Sequence, residues 1–208
     1  MLILRSVLLF SLLVALSAGD AKPATGLDKP LTFEFQDTSL SDVRAFLSKE
    51  SGLTVQVDPV VDQRGPTISL KVKGMTCRNV LVWISEITGS TFTEQGGQIR
   101  ISERVGKVDV PKQDKVVPPA MQKSLDALAT TEFKDKALDD ALYFLSRIGD
   151  LTIVVSPRLR AAKSTVTVAA KDLKLSAVLD QVAKSSGATW VVRNQAVFFD
   201  LAAPKPTP

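Results

Sequence analysis

The hydrophobic and polar positions of the chain predict a regular order of strands and helices. Residues 31–35 alternate between apolar and polar, as a half-buried strand does. An apolar stripe at helical spacing follows them at Leu40, Val43, Phe46 and Leu47. Residues 53–57 and 67–72 alternate again, a second apolar stripe runs from Val80 to Ile87, and a hairpin is expected around Gly96-Gly97. The predicted order is therefore β-α-β-β-α-β-β.

The same order returns 98 residues further along the chain. Glu34-Phe35-Gln36-Asp37 reappears as Glu132-Phe133-Lys134-Asp135, and the pairing runs without a gap to Ile101 and Phe199. Matched pairs include Phe46/Phe144, Leu81/Leu179 and Gly89/Gly187, and the recurrence of phenylalanine at one helical position predicts that Phe46 and Phe144 both lie in the core. Such a duplication indicates repeated supersecondary units that bury their surfaces against each other. We therefore predict an α+β fold of two tandem βαββαββ modules, residues 31–103 and 128–201, each with two helices packed on small sheets.

Segments outside the two repeats have patterns of their own. Residues 1–21 combine an early positive charge, an apolar run and a small-residue exit, which is the pattern of a secretory signal peptide cleaved near Gly19 or Ala21. An uncleaved anchor is the alternative. Residues 104–127 carry several prolines and charges and predict a linker, with a short helix within 120–128. Residues 202–208 predict a disordered tail.

Composition narrows the function classes. The chain has 26 Lys and Arg against 22 Asp and Glu, with no basic stripe, so we expect no nucleic-acid partner. Histidine is absent and Cys77 is the single cysteine, which excludes a Cys–His pair and leaves too few ligands for zinc. Asp37 and Asp42, repeated as Asp135 and Asp140, fit helix capping better than calcium binding. We expect no enzyme activity, no metal and no cofactor, and an exported protein without disulfides fits the bacterial periplasm.

Several stretches together resemble a known family. They are a strand ending Phe-x-Asp, Leu-x-Asp-Val-x-x-x-Leu on a helix, Gly-Leu-Thr-Val-Gln-Val-Asp-Pro, and Gly-Met-Thr-Cys-Arg-Asn-Val-Leu. The chain resembles the short N-terminal domain of bacterial secretins and TonB-dependent receptors over residues 31–103 and about 128–201. The resemblance implies a βαββαββ fold and protein–protein contact in the periplasm, either docking inner-membrane partners or signalling to a membrane regulator. No secretin pore or β-barrel accompanies the modules, so secretion and transport are not implied.

We therefore expect a non-enzymatic periplasmic interaction module that docks a secretin, pilus or TonB-linked component, without a membrane span after signal cleavage. The alternative is a binding protein for a small molecule or cell-wall fragment in the groove between the copies. Strict alternation in residues 67–72 and 165–170 predicts polar-faced edge strands that accept a partner's strand. Two aromatics off the buried helical stripes are candidate anchors. The candidate partner-binding residues are Thr67, Ser69, Lys71, Thr165, Thr167, Trp83 and Tyr143.

Overall fold

A computed structural model describes residues 26–106, 114 and 116–202 of the chain. The first repeat contains β1 (Pro30–Ser39), α1 (Leu40–Ser51), β2 (Thr54–Val57), α2 (Pro59–Asp62), β3 (Thr67–Thr76), α3 (Cys77–Thr88), β4 (Ser90–Gln95) and β5 (Gln98–Glu103). After α4 (Pro119–Asp126), the second repeat contains β6 (Leu128–Ala137), α5 (Leu138–Ile148), β7 (Ile153–Val155), α6 (Pro157–Ala161), β8 (Thr165–Lys174), α7 (Leu175–Ser186), β9 (Ala188–Arg193) and β10 (Ala196–Leu201).

Each repeat forms two small sheets. The antiparallel pairs are β1–β3 and β6–β8, and the three-stranded sheets have the orders β2-β5-β4 and β7-β10-β9. The long helices of the first repeat, α1 and α3, contact strands of both its sheets. Within the described residues, no sheet combines strands of both repeats. The α+β fold predicted from the sequence is confirmed.

Local sequence explains where the helices begin and end. The Asp42 N–H donates to Ser39 Oγ at 3.1 Å, and the Ser39 hydroxyl donates back to the Asp42 carboxylate at 2.7 Å. This reciprocal pair satisfies a backbone donor in the first turn of α1, as predicted. Gly52 ends the helix with a φ of 71°, a left-handed conformation that glycine adopts at little cost.

Asp37 and Asp135 differ from the prediction that they cap helices. β1 and β6 continue through them, and both residues take a positive φ, 47° and 48°, at a β-bulge. The Asp37 N–H donates to Ser69 Oγ at 3.0 Å, and the Asp135 N–H donates to Thr167 Oγ1 at 3.1 Å. A short polar side chain tolerates this backbone region better than most. The hydroxyls of Ser69 and Thr167, which were predicted to contact a partner, therefore stabilise β-bulges within their own sheets.

Two short helices that begin at prolines add to the predicted order of elements. Pro59 and Pro157 begin the short helices α2 and α6, which the hydrophobic pattern did not indicate, because proline suits the first position of a helix. In the predicted linker, residues 104–127, α4 lies where a short helix was expected, and its Met121 and Leu125 are buried in the core of the second repeat. The predicted signal peptide (1–21) and the tail from residue 203 lie outside the described residues.

The two repeats share an apolar contact, which we call the seam. It consists of Trp83 from α3 and of Val154, Val191, Ala196 and Phe198 from the three-stranded sheet of the second repeat. The Trp83 and Phe198 rings stack with centroids 5.3 Å apart. Trp83 is 0% exposed, so the prediction of an exposed partner anchor is wrong. Its helical position faces away from its own core, and the second repeat covers it.

Candidate docking surfaces

Polar contacts border the seam and hold the β9–β10 turn on α3. The Trp83 indole N–H donates to the Asn194 carbonyl at 3.1 Å. Gln195 Oε1 accepts from the Thr76 N–H at 3.1 Å and from the Asn79 amide at 2.8 Å. These bonds satisfy donors at the start of α3. They fix the position of the second repeat relative to the first.

Arg193 covers the two stacked rings of the seam. Its guanidinium carbon lies 4.9 Å from the centroid of Trp83 and 4.5 Å from that of Phe198, within cation–π range. Its Nη2 lies 3.6 Å from the Glu86 carboxylate, which also pairs with Arg104 at 3.2 Å. This network buries a charge from the second repeat beside a carboxylate of the first. The seam is therefore apolar at its centre and charge-paired at its margin.

A second contact between the repeats lies on the outer side of the β1–β3 sheet. We call this side of the sheet the receiving face. It comprises Glu34, Thr67, Ser69, Lys71 and Lys73. The helix α5 of the second repeat covers part of this face. The Tyr143 hydroxyl donates to Glu34 Oε1 at 2.8 Å, and Arg147 Nη1 lies 3.4 Å from the same oxygen.

Lysines of the receiving face bind the C-terminal end of α5. Lys71 Nζ donates to the Ser146 carbonyl at 3.4 Å and lies 3.4 Å from Asp150 Oδ1. Lys73 pairs with the other oxygen of Asp150. These contacts place positive charge where the helix dipole is negative. Hydrogen bonding from Lys73, reinforced by Lys71, lowers the pKa of the Asp150 carboxyl and keeps it ionised.

A groove of about 410 Å³ remains between the receiving face and the first turns of α5. Its walls include Asp37, Thr67, Ser69 and Lys71 from one repeat and Asp139 and Tyr143 from the other. The structure therefore gathers four of the seven candidate residues, Thr67, Ser69, Lys71 and Tyr143, around one groove. Most of its charged groups are already paired: Lys71 with Asp150, and Arg160 with Asp139 at 3.4 Å.

The corresponding side of the second repeat, which we call the open face, is exposed. Its members are Glu132, Thr165, Thr167, Ala169 and Lys171, and they occupy the places of Glu34, Thr67, Ser69, Lys71 and Lys73. No described element covers them as α5 covers the receiving face. The Thr167 N–H donates to Ser185 Oγ of α7 at 3.2 Å, so a strand added at this edge of β8 must displace that hydroxyl. The open face is better suited to docking across its surface than along its edge.

The seam has no counterpart at either end of the molecule. In the first repeat, Gln56, Gln98 and Arg100 take the places of Val154, Ala196 and Phe198, and all three are exposed. In the second repeat, the half-buried Gln181 takes the place of Trp83. Terminal units of a repeat array carry polar outer faces in this way. Sequence reasoning missed the seam, although these mismatched pairs were the signal that locates it.

The duplicated phenylalanine of the first helix differs between the repeats. Phe46 packs against Phe33 and Phe35 with centroids 5.1 and 5.2 Å away. Phe144 touches only one such ring, Phe133 at 5.7 Å, and is 45% exposed. The prediction that both are core residues is wrong for Phe144, because Thr131 stands where the first repeat has Phe33.

No catalytic arrangement emerges from the described residues. Cys77 is fully buried, and burial raises the pKa of its thiol, which keeps it protonated and unreactive. The described residues contain no cluster of three or more metal-ligating side chains. None of the helices among them has the length and apolar character needed to cross a membrane.

Comparisons with known proteins give little to build on. No family model matches the chain, and no curated protein matches it. One solved structure with a partial match is described as a "putative anti-sigma factor" from Parabacteroides distasonis. The match has 20% identity and a TM-score of 0.33, and it covers 35% of this chain and 34% of the other. A likeness of that extent carries no argument about function, and the resemblance to secretin-type domains stays a prediction.

Proposed function

We propose that the chain is a non-enzymatic interaction protein of the bacterial envelope and that a partner protein docks on the open face. The proposal keeps the periplasmic location and the secretin, pilus or TonB-linked partner expected from the sequence. One observation supports it most. The equivalent face of the first repeat already binds protein, since Glu34, Lys71 and Lys73 hold α5.

Two other modes of binding receive less support. Strand addition has to compete with bonds that the hydroxyls of Ser69 and Thr167 and the Thr167 N–H already make. A small molecule or cell-wall fragment in the groove has to compete with the Lys71–Asp150 ion pair, which joins the two repeats, and with the Arg160–Asp139 pair within the second repeat. A partner that docks on the open face does not have to displace such ion pairs, because the charged side chains of this face, Glu132 and Lys171, are exposed. Docking there leaves the contacts between the repeats intact.

Site-specific photo-crosslinking tests this placement. We would put a photoreactive residue at Ala169, in the middle of the open face, and at Gln98, an exposed control position at the opposite end of the molecule. Expressed in the native host, the Ala169 variant should give a crosslinked partner, identifiable by mass spectrometry, and the Gln98 variant should not. The purified partner should then bind the intact chain more weakly when Glu132 is changed to Lys.

The proposal fails in two ways. Crosslinks from Gln98 alone place docking on the other end of the molecule. Absence of a protein adduct from either position, in cells where the chain is produced and folded, excludes a partner on both surfaces.

A further inference from the structure

We infer that the element of the partner that docks on the open face is the C-terminal end of a helix carrying an Arg or Tyr and, further along, a carboxylate. This inference rests on the proposed function and specifies the chemistry of the partner. The internal contact between the repeats supplies its template.

The template is α5 on the receiving face. Tyr143 and Arg147, four residues apart, lie on one side of the helix and both reach Glu34, at 2.8 and 3.4 Å. Asp150 follows just after the last turn and pairs with Lys73. The helix therefore presents a donor pair to an acid and, farther along, a carboxylate to a base. Two opposite charges on the face fix both the position and the direction of the helix.

The open face repeats the two charges that set this alignment. Glu132 and Lys171 stand where the receiving face has Glu34 and Lys73. The strand register agrees as well, because Glu132 faces Ala169 on β8 just as Glu34 faces Lys71 on β3. Both charged residues are exposed. A helix with the charges of α5 therefore finds the same acid and base at the same places.

The loss of one positive charge from the open face restricts the chemistry of the partner helix. Ala169 replaces Lys71, the lysine that reaches both the Ser146 carbonyl and Asp150. The open face thus offers one base to the helix end, so a single carboxylate matches it. The small alanine also leaves room for a larger side chain from the partner at the centre of the face.

In a second copy of this chain, α5 already lies on that copy's own receiving face, and the equivalent helix α1 does not carry the required residues. At the positions of Tyr143 and Asp150, α1 and its cap have Ala45 and Gly52, which supply neither hydroxyl nor carboxylate. Of the three contact residues in α5 and just after it, only Arg147 has a counterpart of the same charge in α1, namely Lys49. The apolar residues of the seam are also replaced by polar ones at the end that such a copy would use. The occupant is therefore a helix of a different protein.

Nuclear magnetic resonance titration of the full chain tests the inference, since it detects weak binding. The probe is a synthetic peptide of residues 137–152, held helical by a hydrocarbon staple on the side away from Tyr143, Arg147 and Asp150. We expect shifts at the amides of Glu132, Ala169 and Lys171. Reversing the peptide charges, with Arg147→Glu and Asp150→Lys, should weaken binding roughly fivefold, as two exposed ion pairs would.

Charge reversal on the chain completes the test. The variant Glu132→Lys with Lys171→Glu should bind the original peptide roughly fivefold more weakly and regain the lost affinity with the reversed peptide, whereas Arg100→Glu at the opposite end should change the binding of neither peptide. Shifts confined to Glu34 and Lys71, shifts insensitive to both reversals, or no shifts at millimolar peptide overturn the inference. Concentration-dependent self-association of the unmodified chain through the open face overturns it too. Crosslinking at Ala169 with a partner that lacks such a helix leaves the proposed function standing and removes only this inference.

Discussion

Trp83→Ala should lower the free energy of unfolding by about 3–5 kcal/mol, the range for truncating a large buried aromatic. The substitution removes the ring that stacks on Phe198 and supports Arg193, and it leaves the Asn194 carbonyl without its indole donor. The cavity lies between the repeats, so the loss weakens their attachment more than either core. Urea unfolding followed by tryptophan fluorescence and circular dichroism measures the change.

The duplication supplies a matched control for that variant. Gln181 occupies the same position of α7 but is only half-buried. Gln181→Ala should change stability by less than about 0.5 kcal/mol, as at most surface sites. Equal effects of the two substitutions would show that the seam contributes nothing beyond an ordinary helix surface.

Phe198→Arg should be at least as damaging, with a loss of about 3–5 kcal/mol, because it places an unpaired charge in a buried apolar contact. Phe198 is 1% exposed, and Arg193 already lies over its ring, so the new cation meets a like charge. We expect the repeats to separate, which would appear as a second unfolding transition or a larger hydrodynamic radius. Calorimetry and small-angle scattering check both.

The reverse exchange is the control for this variant. Arg100 stands at the equivalent position of the first repeat, is exposed and pairs with Asp58 at 2.7 Å. Arg100→Phe removes only an exposed surface ion pair and should leave the unfolding midpoint close to that of the unmodified chain. An unfolding midpoint for Phe198→Arg equal to that of the unmodified chain would contradict the stabilising role of the seam.

The fold could be predicted because each repeat has a clear hydrophobic periodicity of its own. Alternation in β3 and β8 and the helical stripes of α1, α3, α5 and α7 depend only on contacts inside one repeat, and these elements formed where the pattern put them. The contact between the repeats was harder to predict, because hydrophobic periodicity does not show whether the second face of a helix meets solvent or a neighbouring module. Trp83 was taken for an exposed residue on these grounds.

A signal for that contact was nevertheless present in β10. Residues 196–199 are apolar without a break, whereas the matching residues of β5 alternate as Gln98-Ile99-Arg100-Ile101. A continuous apolar run indicates a strand buried on both faces. Comparing the repeats position by position therefore locates the seam. The bulge role of Asp37 could not be found this way, because both repeats have the same residue and it depends on the backbone conformation.

Coverage of the receiving face by α5 can be measured through the accessibility of Lys71, with the exposed Lys171 of the open face as the reference. Limited acylation of the intact chain, read by mass spectrometry, measures it directly. The account predicts that Lys171 is modified severalfold faster than Lys71, whose side chain is 21% exposed and paired with Asp150. Trp83→Ala should reduce this difference by loosening the seam. Equal rates for Lys71 and Lys171 in the unmodified chain would mean that α5 does not cover the receiving face, and the template for docking on the open face would be lost.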